Sequence, residues 1–143
     1  MTKFFVNPGQ VFTFSKTVSE SDVYLFAGIT GDFSANHVNE EVMKKTCYGG
    51  RIAHGALIVG YMSACSTMAS DSSRSTIAET PVSLGYDKIR FLAGVKIGDT
   101  VKVNYTIDTI DVERRRSHAN VTVHNQNGTL VAVATHILKW VKE

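Results

Sequence analysis

Two clusters in this sequence have the residue types and spacing for proton-transfer chemistry. The first is Thr30-Gly31-Asp32-Phe33-Ser34-Ala35-Asn36-His37, where a carboxylate and an imidazole stand five positions apart on a Gly-flanked polar stretch. Both side chains can point into one cavity. A water between them could lose a proton to one group while a proton is delivered to carbon, as addition of water to a conjugated double bond requires. Histidine suits the task because its ordinary pKa lies near neutrality. The same residues also read as a turn-capping Asp32 and a satisfied core or surface His37, and the spacing alone leaves both open. The second cluster is Arg51-Ile52-Ala53-His54-Gly55-Ala56-Leu57. Gly55 near a helix start offers a backbone N–H at the positive end of the dipole, a donor for a developing enolate oxygen. It equally reads as a residue that lets the helix end pack closely. His54, beside that glycine, reads as structural or catalytic.

The elements that must position these residues follow from periodicity. Val11 to Val18 alternates like a strand. Ser19 and Asp22 resemble a capping box, and Val23, Phe26, Ala27 and Thr30 form one helical stripe that Gly28 and Gly31 loosen and end. Gly31 to Gly50 is polar and irregular, with a short helix expected around Glu40 to Lys45. A second helix is expected from about Arg51 to Ser70, apolar nearly all round and therefore buried. Pro81 to Leu92 reads as a strand. Val101, Val103, Tyr105 and Ile107 alternate with polar neighbours as in a half-buried antiparallel strand. Ala119, Val121 and Val123 continue the pattern, Asn127-Gly128 turns the chain, and Thr129 to Val141 is the last strand. Long antiparallel strands with one buried helix imply an α+β architecture, a sheet curled around a helix.

Composition narrows the classes. The 143 residues suit one domain over 1–143, with 43% hydrophobic residues and 20% charged. A formal net charge of +2 does not call for nucleic acid, and Arg114-Arg115-Arg116 reads as a solvated corner. Cys47 and Cys65 have no metal-type spacing and suit a reduced, cytoplasmic setting. The first nine residues show no apolar leader. The uncharged run from Ile52 to Ser70 holds His54 and several hydroxyls, so no membrane span is expected.

Together the two clusters resemble the MaoC-like hydratase/dehydratase family, which includes (R)-specific enoyl-CoA hydratases. There, Gly-Asp-x-Asn-Pro-(Ile/Leu)-His is followed some fifteen residues later by Ile-(Val/Ala)-His-Gly. Here the stretches are Gly31 to His37 and Ile52-Ala53-His54-Gly55. Ser83-Leu84-Gly85, Ile89-Arg90-Phe91 and Val95 to Asp99 extend the likeness over roughly Pro8 to Trp140. The resemblance implies a hot-dog fold and reversible hydration of a trans-2-enoyl thioester to the (R)-3-hydroxyacyl thioester. Asp32 and His37 would be the catalytic pair, Gly55 the oxyanion donor, and Ser63 the residue orienting Asp32. Ser34, Asn36, His54 and Tyr61 would contact substrate. It implies no metal and no cofactor, an acyl-CoA or acyl-carrier-protein substrate, and a homodimer with its site near the subunit boundary. Ser34, Ala35 and Asn36 depart from the family's Asn, Pro and aliphatic residue, and Asn39 stands where Asp is common. These changes leave the acid/base pair in place and reshape the loop beside it. Arg51, Lys88, Arg90 and Lys96 would suit phosphates or an acidic carrier, or simply solvate strand edges. Two other readings fit the same fold. A hot-dog thioesterase would carry an acid on the central helix, and Ile52 to Ser70 has none. A non-catalytic acyl-thioester-binding module would need neither Asp32 nor His37.

Overall fold

A computed structural model describes residues 4–71, 74 and 78–142. The chain opens with β1 (Val11–Thr17), α1 (Glu20–Thr30) and two one-turn helices, α2 (Ala35–Val38) and α3 (Glu40–Met43). The long helix α4 (Gly55–Asp71) follows, then β2 (Glu79–Phe91), β3 (Thr100–Asp111), β4 (Arg116–His124) and β5 (Leu130–Lys142). The five strands form one antiparallel sheet in the order β1-β3-β4-β5-β2. Alternation decides the faces: Val101, Val103, Tyr105 and Ile107 are buried, with Ala119, Val121 and Val123 beside them on β4. α4 packs against β1 and β3 and adds Ile58, Met62, Cys65 and Ala69 to the same core. A sheet wrapped on a long helix is the hot-dog arrangement expected from the sequence. No helix among the described residues is long and apolar enough to cross a membrane.

Local chemistry explains how α1 delivers the chain to the site. The Ser19 hydroxyl accepts from the Asp22 N–H at 3.1 Å, and the Asp22 carboxylate accepts from the Ser19 N–H at 2.9 Å. Gly31 ends the helix in the left-handed region at φ 82°, its N–H donating to the Ala27 carbonyl at 2.8 Å. A side chain there would be strained. The chain therefore leaves α1 abruptly, at Asp32.

The structure corrects four sequence expectations. α4 begins at Gly55, not Arg51. The Ile52 N–H donates to the Asn36 carbonyl at 3.0 Å, the Ala53 N–H to Val95 at 2.7 Å, and Ile52 bridges Lys96 as extended chain. Their apolar character imitates helical continuity while their backbone pairs elsewhere. α4 is also not buried all round, since Ala56, Gly60, Ser63, Thr67 and Met68 are exposed along one side. The stretch after Gly31 holds a one-turn helix besides the one expected near Glu40, because Ser34 caps α2, which includes His37. Finally, Arg115 is not a solvated corner. Its guanidinium pairs with Glu79 at 2.6 Å, both side chains largely buried, and lies over the rings of Phe4 and Phe5.

Candidate active site

The segment 51–54 is the frame on which the site is built. Arg51 spends its donors there: its backbone N–H and Nε both reach Glu40 at 3.1 Å, Nη1 reaches the Tyr24 hydroxyl at 2.7 Å, and Nη2 reaches Glu20 at 2.6 Å. Hydrogen bonding and charge from Arg51 hold the Glu20 and Glu40 carboxyls below their ordinary range. With its donors so committed, Arg51 acts as a clamp between α1 and α3, rather than as the free phosphate contact the sequence allowed.

Ile52 then fixes the imidazole. His37 Nδ1 lies 2.7 Å from the Ile52 carbonyl. A carbonyl only accepts, so Nδ1 carries the proton and neutral His37 presents its lone pair at Nε2. The next residue but one, His54, lies stacked on His37 with ring centroids 3.7 Å apart and planes at 26°. Its Nε2 is 2.9 Å from the Asp32 carbonyl. Oxygen or nitrogen donor atoms of Asp32, His37 and His54 all lie within 4.8 Å of one another. That triad is a poor cation cage. Stacked rings direct their in-plane lone pairs alongside each other, and one nitrogen of each ring is engaged by a carbonyl.

A cavity of about 300 Å³ opens beside His37, and Asp32 is not among its walls. His37, Gly55, Ile58, Phe91 and Val131 are among its walls. As the first residue of α4, Gly55 has no intrahelical acceptor for its N–H. A Cβ at Gly55 would sit 2.6 Å from the Phe91 ring, so a side chain there would displace that ring. Both sequence readings of Gly55 thus keep a structural basis.

The remaining expected residues fall into two groups. Asp32 and Ser34 are exposed on the loop and Asn36 on α2; the Ser34 N–H donates to the Asp32 carboxylate at 3.3 Å and the Ser34 hydroxyl accepts from the Asn36 N–H at 3.4 Å. Their visible work is shaping the loop. Ser63, eight residues along α4 from Gly55, approaches the Tyr86 phenol outside hydrogen-bond geometry and is not brought against Asp32. Tyr61 is buried in the core against Phe14, its hydroxyl pushed up to about 12 by burial, and His54 is 2% exposed. Neither lines the cavity. The sequence reading passed over Phe91 and Val131, which reach the cavity from β2 and β5. Nothing local in sequence marks a strand residue as a wall for a distant loop.

A family model described as "MaoC like domain" matches residues 4–129. The chain is 36% identical over 111 residues to an (R)-specific enoyl-CoA hydratase of Rhodospirillum rubrum, covering 77% of this chain and 72% of that one. It is 36% identical over 108 residues to a 3-hydroxybutyryl-CoA dehydratase of Methylorubrum extorquens, covering 75% and 64%. Among solved structures, it is similar to an unliganded R-hydratase of Pseudomonas aeruginosa at TM-score 0.78 and 26% identity, covering 96% of this chain and 84% of that one.

Proposed function

This chain belongs to the MaoC-like family and is a hydratase/dehydratase, and from that premise we propose that it hydrates a trans-2-enoyl-CoA to the (R)-3-hydroxyacyl-CoA, and reverses that step. The observation that carries the proposal is the Asp32 carboxylate within 4.8 Å of a His37 ring nitrogen, beside the Gly55-lined cavity. One water donates its two hydrogens at a near-tetrahedral angle and so spans acceptors about 4.5–5 Å apart, which matches this separation.

In this reading the water directs one hydrogen to each group and a lone pair to C3 of the substrate. One proton passes to the pair as the C3–O bond forms, and a proton from the pair is delivered to C2. Between these events negative charge gathers on the thioester oxygen, where the Gly55 N–H stabilises it. Dehydration runs the same steps backwards. The locked Nδ1–H of His37 supports the reading, because it leaves Nε2 ready as the acceptor. The (R) outcome rests on the family resemblance. Pairing of two copies belongs to the same proposal, and the exposed side of α4 supports it. Two unpaired cysteines support a cytoplasmic setting.

Incubation with crotonyl-CoA and with a saturated acyl-CoA tests the reaction. Loss of the conjugated absorbance without free thiol is the expected result. Thiol release from both substrates would instead make the protein a thioesterase. α4 argues against that outcome, its single carboxylate being Asp71 at the far end. Chiral analysis of the product checks the stereochemistry.

A further inference from the structure

His54 is 2% exposed and lines no described cavity wall, yet it touches both the Asp32 backbone and the His37 ring. Because its Nε2 meets a carbonyl, that nitrogen must carry the proton, and the lone pair lies at Nδ1. Nδ1 is buried with no hydrogen-bond partner. A stranded buried acceptor costs free energy that a purely apolar side chain would avoid. The ring itself is held between His37 on one side and Phe26, at 4.7 Å, on the other. Its backbone carbonyl accepts from the N–H groups of Leu57 and Ile58 and so opens α4. Packing alone would be served by phenylalanine. What histidine adds is the one donor aimed at Asp32.

We propose that His54 is a positioning residue: its Nε2–H fixes the backbone of Asp32 while its ring backs His37, so that carboxylate and imidazole meet on the same water. The proposal rests on the assignment of Asp32 and His37 as the acid/base pair. It takes His54 out of substrate contact and makes it the element that sets the geometry between the two reacting groups.

Two variants separate the donor from the ring. His54→Phe keeps an aromatic ring and loses the N–H. His54→Gln loses the ring and places an amide N–H near the former Nε2. With crotonyl-CoA, His54→Phe should lose about thirtyfold or more in kcat while KM stays within about threefold, approaching the roughly hundredfold that an ångström of misplacement costs. His54→Gln should recover about tenfold of that loss. A merely structural histidine would not show rescue by a residue that shares only its donor. Asp32→Asn, assayed alongside, tests the underlying reading separately. If it turns over at the parental rate, the acid/base assignment fails. If it is inactive while folded His54→Phe matches the parent, only the positioning role fails. Side-chain nitrogen NMR of the parent enzyme decides the matter even if both His54 variants misfold. The expected signature is a neutral His54 protonated at Nε2, and protonation at Nδ1 alone would overturn the proposal.

Discussion

A side chain at position 55 must displace the Phe91 ring, and this separates two roles that one glycine combines. Gly55→Ala drives a methyl group into the Phe91 ring, 2.6 Å from the ideal Cβ position. Overpacking in a rigid core costs about 1–3 kcal/mol; the Phe91 ring is 54% exposed and can swing outward, so the expected loss is about 1 kcal/mol or less, readable by urea denaturation. Adding Phe91→Ala should restore most of that stability. If the Gly55 N–H also serves the enolate, kcat measured on the double variant should follow the regained backbone position. A double variant as stable as the parent but still inactive would show that Phe91 itself is needed at the cavity. At this scale Asp32, His37 and Gly55 could be singled out because the chemistry of each group allows a reaction role, and the structure brings Asp32 and His37 within 4.8 Å of each other. The work of His54 was not, because its partner is a backbone carbonyl 22 residues earlier, which no side-chain pattern reports.

Elements were legible where a local rule closes on itself. The capping box of α1 and its Gly31 terminus needed only neighbours. α2 was missed because four residues are too few to show a period, although this helix includes His37. The start of α4 was misplaced because Ile52 and Ala53 are apolar in either conformation, and their backbone partners, Asn36 and Val95, are remote. The Arg114–Arg116 turn was misread for the same reason, since Glu79 lies 36 residues from Arg115. Glu79→Ala should leave Arg115 half-satisfied against the Phe4 and Phe5 rings. The expected loss is about 1–3 kcal/mol, below the range for fully buried pairs because some solvent still reaches Arg115. A thermal melt indistinguishable from the parent would show that the pair adds nothing to the fold.

The whole molecule is joined by a buried polar contact that sequence patterning could not reveal. His136 on β5 lies 2.6 Å from the Tyr105 hydroxyl on β3 and 2.8 Å from the Ser83 hydroxyl on β2. Strand order is what assembles it: β5 sits between β4 and β2, an arrangement no local pattern fixes. Burial pushes His136 down to about 4 from 6.5. On acidification the unfolded chain therefore takes this proton first, so the stabilisation is complete above about pH 6.5 and is lost as pH falls toward 4. Between pH 7 and pH 5 the loss from this one group is about 2 kcal/mol. Urea denaturation at both pH values should show a steeper decline in the parent than in His136→Phe, and equal slopes would refute the linkage.

Cooperation of Asp32 and His37 is tested most directly by turnover of crotonyl-CoA by the parent, Asp32→Asn, His37→Ala and the double variant, each shown to be folded. Each single substitution is expected to lower kcat by at least about a hundredfold. The double variant should be little worse than the slower single one, since groups acting on one water fail together. A folded single variant that keeps the parental kcat would contradict the shared-water site.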